Sequence, residues 1–162
     1  MRPLVAALAK EQFQTAQLLH DNGADPNVEA HNKMTPLHAE AFRDGGHAEV
    51  VKKLLEYGAD AEARDGDGRT PLYLAALRGT SPAPHTTRLL LEHGVNVNAR
   101  TMGGSTSLHT AAEWGNLEVA RLLLEYGADL GAKDDEGRTP SQVASSHHHD
   151  HISKLLLEYS SK

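Results

Sequence analysis

The chain has 162 residues and a mass of 17.5 kDa, enough for one compact domain or a short run of repeated units but not for two independent cores. Leu and Ala each occur 22 times, Ile once, and aromatics make up 4%, a balance that favours short packed helices over a sheet. A formal charge of -6 excludes the basic footprint of a general phosphate-backbone binder, and the absence of Cys removes disulfide frameworks, thiolate zinc sites and cysteine nucleophiles.

In the opening MRPLVAALAKEQ the apolar stretch breaks at Lys10 and Glu11, too early for a signal peptide, and no apolar run approaches membrane-spanning length. The expectation is a soluble protein, cytoplasmic or nuclear. After a first unit containing LVAALA and LLHDNGAD, the chain repeats itself. TPLHAEAF from Thr35, TPLYLAAL from Thr70, TSLHTAAE from Thr106 and TPSQVASS from Thr139 align at intervals of 35, 36 and 33 residues. A second marker, Gly after a Leu-rich run, falls at Gly23, Gly58, Gly94 and Gly127, each 12 residues before the next Thr.

Local chemistry explains both markers. Thr before Pro is an N-cap hydroxyl followed by a first helical residue with no N–H to leave unsatisfied, so Thr35, Thr70 and Thr139 open helices. The second helix of each unit carries apolar residues at helical spacing, as in Val50, Val51, Leu54 and Leu55 or Val119, Leu122 and Leu123. Gly then closes that helix. Between Gly and Thr, turn sequences such as DGDG at 65–68 and DDEG at 134–137 predict a hairpin-like finger. Helices this short are marginal alone and must bury their Leu and Ala faces against neighbouring units. The predicted fold is an all-α repeat, a solenoid of helix-turn-helix units joined by fingers. It forms one domain over 1–162, with repeats at about 1–33, 34–68, 69–104, 105–137 and 138–162, the first and last acting as caps. Relative to the fourth unit, the second and third carry extra residues around FRDGGHAE and RGTSPAPHTT, either neutral loop insertions or a second contact patch.

The phrases TPLH, LLEYGAD, NAR and DGDGRTPL resemble ankyrin repeats, and the resemblance covers nearly the whole chain. It implies a non-catalytic protein-interaction module that uses no cofactor and binds through a concave surface of finger tips and first helices. On that pattern the partner-binding candidates are Met34, Phe42, Arg43, Arg69, Leu77, Arg78, Met102 and Trp114. Ser105, Glu113 and the finger-tip residues His31, Asn32, Asp67 and Asp135 lie beside them. Trp, Phe, Met and Arg are types enriched at interfaces, and Trp114 is the leading anchor. The alternative is that Trp114 packs between first helices, that Phe42 fills space, and that the arginines pair with Asp65, Asp67 or Glu113. If the arginines do bind, an acidic or carboxylate-bearing partner patch is their complement. The expected partner is another protein, with no general nucleic-acid or membrane binding, and the chain is expected to act as a monomer.

His38 and His109 occupy the family's TPLH position, where the resemblance implies hydrogen bonding between adjacent repeats; Tyr73 and Gln142 stand there in other units. The tract His147, His148, His149, Asp150, His151 is the one constellation with metal-ligating potential, against which its contiguity at a helix-connecting turn gives poor geometry for a closed shell. Ser145 and Ser146 lie beside it without a base and orienting group to form a triad. Asn98, in a finger after a Leu-rich helix, resembles the target of asparaginyl hydroxylases; the alternative is that its side chain stabilises the finger.

Overall fold

The computed structural model describes residues 3–43, 48–77 and 83–161. Among them are ten α-helices and no strand. In chain order these are α1 (Pro3–Ala9), α2 (Phe13–Asp21), α3 (Pro36–Phe42), α4 (Ala48–Glu56), α5 (Pro71–Leu77), α6 (Ala83–Glu92), α7 (Ser107–Glu113), α8 (Leu117–Glu125), α9 (Pro140–Ser146) and α10 (Asp150–Ser160). The predicted all-α repeat is the observed fold.

The caps form as the local chemistry requires. Thr35 and Thr139 hold extended backbone, and each is followed by Pro at the first helical position. At the other end of the unit, Gly127 lies at φ 85. This left-handed backbone lets its N–H reach the Leu124 carbonyl and the Ala128 N–H reach that of Leu123.

Helices of seven residues span about 10 Å and cannot persist alone, so burial has to come from stacking. The inner helices α3, α5, α7 and α9 pack side by side in one row, and the outer helices α4, α6, α8 and α10 in a second row behind it. The core repeats with the sequence. Leu37, Leu72 and Leu108, each two residues after its Thr, are at most 1% exposed, as are Leu54, Leu90 and Leu123, each four residues before its Gly. In the first unit α1 packs on α2, burying Leu4 and Leu8, and a groove of about 450 Å³ opens between α1, the first finger and the start of α3.

Residues 44–47 and 78–82 lie outside the described residues, so Arg78 and most of the two enlarged turns fall there.

Leu108 sits mid-array with neighbours on both sides. Leu108→Ala is expected to cost about 2–5 kcal/mol, measured from the urea midpoint and slope. Leu157→Ala, at a site 64% exposed, should change stability by less than about 0.5 kcal/mol.

Candidate partner-binding face

The fingers are built from turns that hydrogen-bond to one another. The Gly66 N–H donates to the Asn32 carbonyl (2.8 Å), the Met102 N–H to that of Asp67 (3.1 Å) and the Asp135 N–H to that of Gly103 (3.1 Å), tying each finger tip to the preceding one. Side chains repeat the link at the finger base. The Arg64 guanidinium donates to the carbonyls of Gly68 (3.1 Å) and Arg100 (2.6 Å), and that of Arg100 to the Lys133 carbonyl.

Within each acidic finger one carboxylate organises the turn. Asp65 accepts the N–H groups of Asp67 and Arg69 through Oδ1 and the Arg69 Nε through Oδ2 (2.8 Å), while Arg69 Nη2 pairs with Asp67 at 2.9 Å. Asp134, Glu136 and Arg138 repeat the arrangement. Burial pushes the Asp65 and Asp134 carboxyls up. The hydrogen bonds from Arg69 and Arg138 outweigh it and hold both below the usual carboxylate range.

His38 joins a helix start to the next finger. Its Nδ1 accepts the Thr35 N–H (3.2 Å), so its proton resides on Nε2, which donates to the Arg69 carbonyl at 3.0 Å. His109 does the same with Thr106 and the Arg138 carbonyl (2.9 Å). Burial holds both imidazoles below their ordinary value, against the hydrogen bonds to the Arg69 and Arg138 carbonyls that favour the proton. In the fifth unit the Gln142 Oε1 takes the place of Nδ1, accepting the Thr139 N–H at 2.8 Å.

The candidate residues fall into two rows. The finger row holds Met34, Arg69 and Met102. Met34 is half-buried and lines the 450 Å³ groove with Val5, Val28, Pro36 and Ala39. Arg69 and Met102 meet with Asp67 and Tyr73 around a second hollow of about 270 Å³, and Met102 is 74% exposed. The row at the far ends of the inner helices holds Phe42 (40% exposed), Arg43, the half-buried Leu77 and Trp114 (59% exposed). Trp114 therefore does not pack into the core. Two of the three candidate arginines have carboxylate partners within the chain: Arg69 as described, and Arg43 through Nη1 to Glu40 at 3.2 Å.

Asn98 is exposed but not idle. Its side-chain amide donates to the Gly127 carbonyl (3.2 Å) and accepts the Asp129 N–H (2.8 Å), bridging to the next repeat as Asn27 does to Gly58 and Asp60.

The histidine tract does not converge. Its ring centroids stand 6.4 Å (His147 to His149) and 5.8 Å (His149 to His151) apart, and among the described residues no three His, Asp or Glu side chains are placed to hold a metal ion. The rings serve backbone carbonyls instead. His147 Nδ1 lies 3.0 Å from the Val143 oxygen in its own helix, whereas His149 Nε2 and His151 Nε2 cross to the preceding repeat, to the carbonyls of Glu113 (3.0 Å) and Gly115 (3.2 Å). His148 takes the left-handed turn position at φ 60. Beside the tract, the Ser146 hydroxyl donates to the Val143 carbonyl (2.8 Å), an ordinary helix-end contact.

Asn116 is a cross-repeat residue that the sequence pattern did not single out. It is 6% exposed, and its Nδ2 donates to the Ala76 carbonyl at 2.6 Å. An Asn directly before a helix is a signal for a cap, and here its side chain serves the neighbouring repeat instead.

Two stacked helix rows with a locked row of fingers define an ankyrin-type array. A family model for ankyrin repeats (three copies) matches residues 3–101, 40–134 and 89–162, and the chain belongs to that family. Among curated relatives it is similar to the ARF GTPase-activating protein Git of Drosophila melanogaster, 43% identical over 75 residues, covering 46% of this chain and 10% of that protein. The ankyrin repeat-containing protein P1E11.10 of Schizosaccharomyces pombe is 43% identical over 54 residues, covering 33% of this chain and 25% of that protein. The human transient receptor potential cation channel subfamily A member 1 is 34% identical over 82 residues, covering 50% of this chain and 7% of the channel. The chain thus spans a quarter or less of each of these relatives. Arrays of this family generally mediate protein–protein interaction and are generally non-catalytic. Among the described residues no helix is long and apolar enough to cross a membrane.

The depressed imidazoles set a pH dependence. The unfolded chain takes up protons near pH 6.5 while His38 and His109 stay neutral in the fold, so their contribution is complete above about 6.5 and is lost as pH falls from there through the folded values. The melting temperature should drop between about pH 7.5 and about pH 5.5. Replacing both by Gln, the residue found at position 142, should flatten that slope; an unchanged slope would assign it to other histidines.

Proposed function

We propose that this chain is a non-catalytic interaction module that binds a partner protein through the concave surface formed by its finger tips and inner helices. The observation that carries this reading is the exposure of Trp114 and Met102, 59% and 74%, at an inner-helix end and a finger tip, whereas the comparably exposed Leu18 and Leu157 lie on the second helices α2 and α10. An indole and a thioether left in water on a rigid framework are what a partner can desolvate with little ordering cost. Phe42, Leu77 and Met34 extend the surface along the inner helices and into the first groove. An acidic patch on the partner, the complement expected for the arginines, has to compete with Asp65, Asp67 and Glu40 for Arg69 and Arg43. The formal charge of -6 argues against general binding to nucleic-acid phosphates, and the module is proposed to act as a monomer.

Affinity capture from lysate, followed by titration of the retained partner, tests this. Trp114→Ala with Met102→Ala should weaken binding by about thirtyfold or more, the loss of about 2 kcal/mol expected for a hot-spot anchor, with helicity unchanged. Equal affinity for both chains would place binding elsewhere.

A further inference from the structure

The histidine tract is the sequence feature that neither the core nor the metal hypothesis accounts for. Two of its rings reach the segment that carries Trp114. His149 Nε2 meets the carbonyl of Glu113, one residue before the indole, and His151 Nε2 meets that of Gly115, one residue after it. A carbonyl can only accept, so both rings carry their proton on Nε2. The two rings brace each other edge to face at 5.8 Å. His149 also lies flat enough on the turn that a Cβ at Gly115 would come within 2.8 Å of its Cε1, so the glycine at φ 75 serves both the turn and the ring. On the opposite side Asn116 ties the same turn to the Ala76 carbonyl. Three successive repeats therefore meet on four residues, and among these Trp114 is the apolar one whose side chain is left in solvent.

We propose that His149 and His151 are positioning residues for partner binding, a two-point clamp by which the last repeat fixes the turn presenting Trp114. The inference rests on the docking role assigned to Trp114 above. A loose turn would have to be ordered at the moment of binding, and the clamp removes that cost in advance.

The test uses the whole chain without any partner. Backbone order parameters from ¹⁵N relaxation should be near the rigid value of about 0.85 at Trp114 and Gly115, and should fall towards about 0.6 in His149→Ala/His151→Ala. His149→Gln/His151→Gln, which keeps a donor at the Nε2 position, should restore them. His147→Ala, whose ring serves the Val143 carbonyl within the last repeat, should leave them unchanged. Should the double Ala chain lose α10, the two single Ala variants supply the same comparison with one bond intact. Rigid values at Trp114 and Gly115 in Ala variants that retain α10 would overturn the clamp. A partner indifferent to Trp114→Ala would defeat the docking role instead, with the order parameters still reporting on the clamp.

Discussion

Helix length is the constraint from which this architecture follows. The helices run from seven to eleven residues, two to three turns, and at that length nucleation is not repaid by internal hydrogen bonds. What holds each one is burial of a Leu such as Leu72 or Leu123 against the next repeat, worth about 1.5–3 kcal/mol for each side chain removed from water. Stability therefore resides at the interfaces between repeats. Any residue that crosses such an interface acts on two units at once.

The polar groups obey the same rule. Fingers have no sheet to satisfy their backbone, so their N–H and C=O groups must find partners in adjacent fingers or in side chains. The ladder from Asn32 to Gly66, Asp67 to Met102 and Gly103 to Asp135 does the first, and Arg64, Arg100, Asn27 and Asn98 do the second. His38 and His109 satisfy a helix start and a finger carbonyl with one ring. Electrostatics then becomes local. Asp65 and Asp67 enclose Arg69, Asp134 and Glu136 enclose Arg138, and each guanidinium is a structural member of its finger before it is a contact for anything else.

This division explains what could be seen in the sequence. Thr35 with Pro36, Thr139 with Pro140 and the glycines at 58, 94 and 127 act within one turn of chain, so their meaning is written in adjacent letters. The pairing of Arg69 with Asp65 and Asp67 was also within reach, since all three lie in one finger. Trp114 was not decidable that way, because its exposure depends on what the next repeat sets beside it. The histidine tract pointed towards metal because five contiguous ligand types are conspicuous. Two of its rings, those of His149 and His151, are directed instead by a neighbouring turn 36 residues away, which spacing within the tract does not encode. Asn116 was silent for the same reason, its partner lying 40 residues back.

A rigid scaffold with apolar side chains in water would be a liability without a use for them, since exposure of an indole on a folded surface invites association. Here the exposed groups are separated rather than clustered. Met102 stands on a finger tip and Trp114 just past the far end of α7, the inner helix that follows, which is itself about 10 Å long. A partner that spans both, as proposed, gains the two together. With locked fingers on one side and the proposed clamp on the turn at the other, the spacing would be fixed before a partner arrives. Selectivity in such a face comes from the distance between anchors as much as from the anchors themselves.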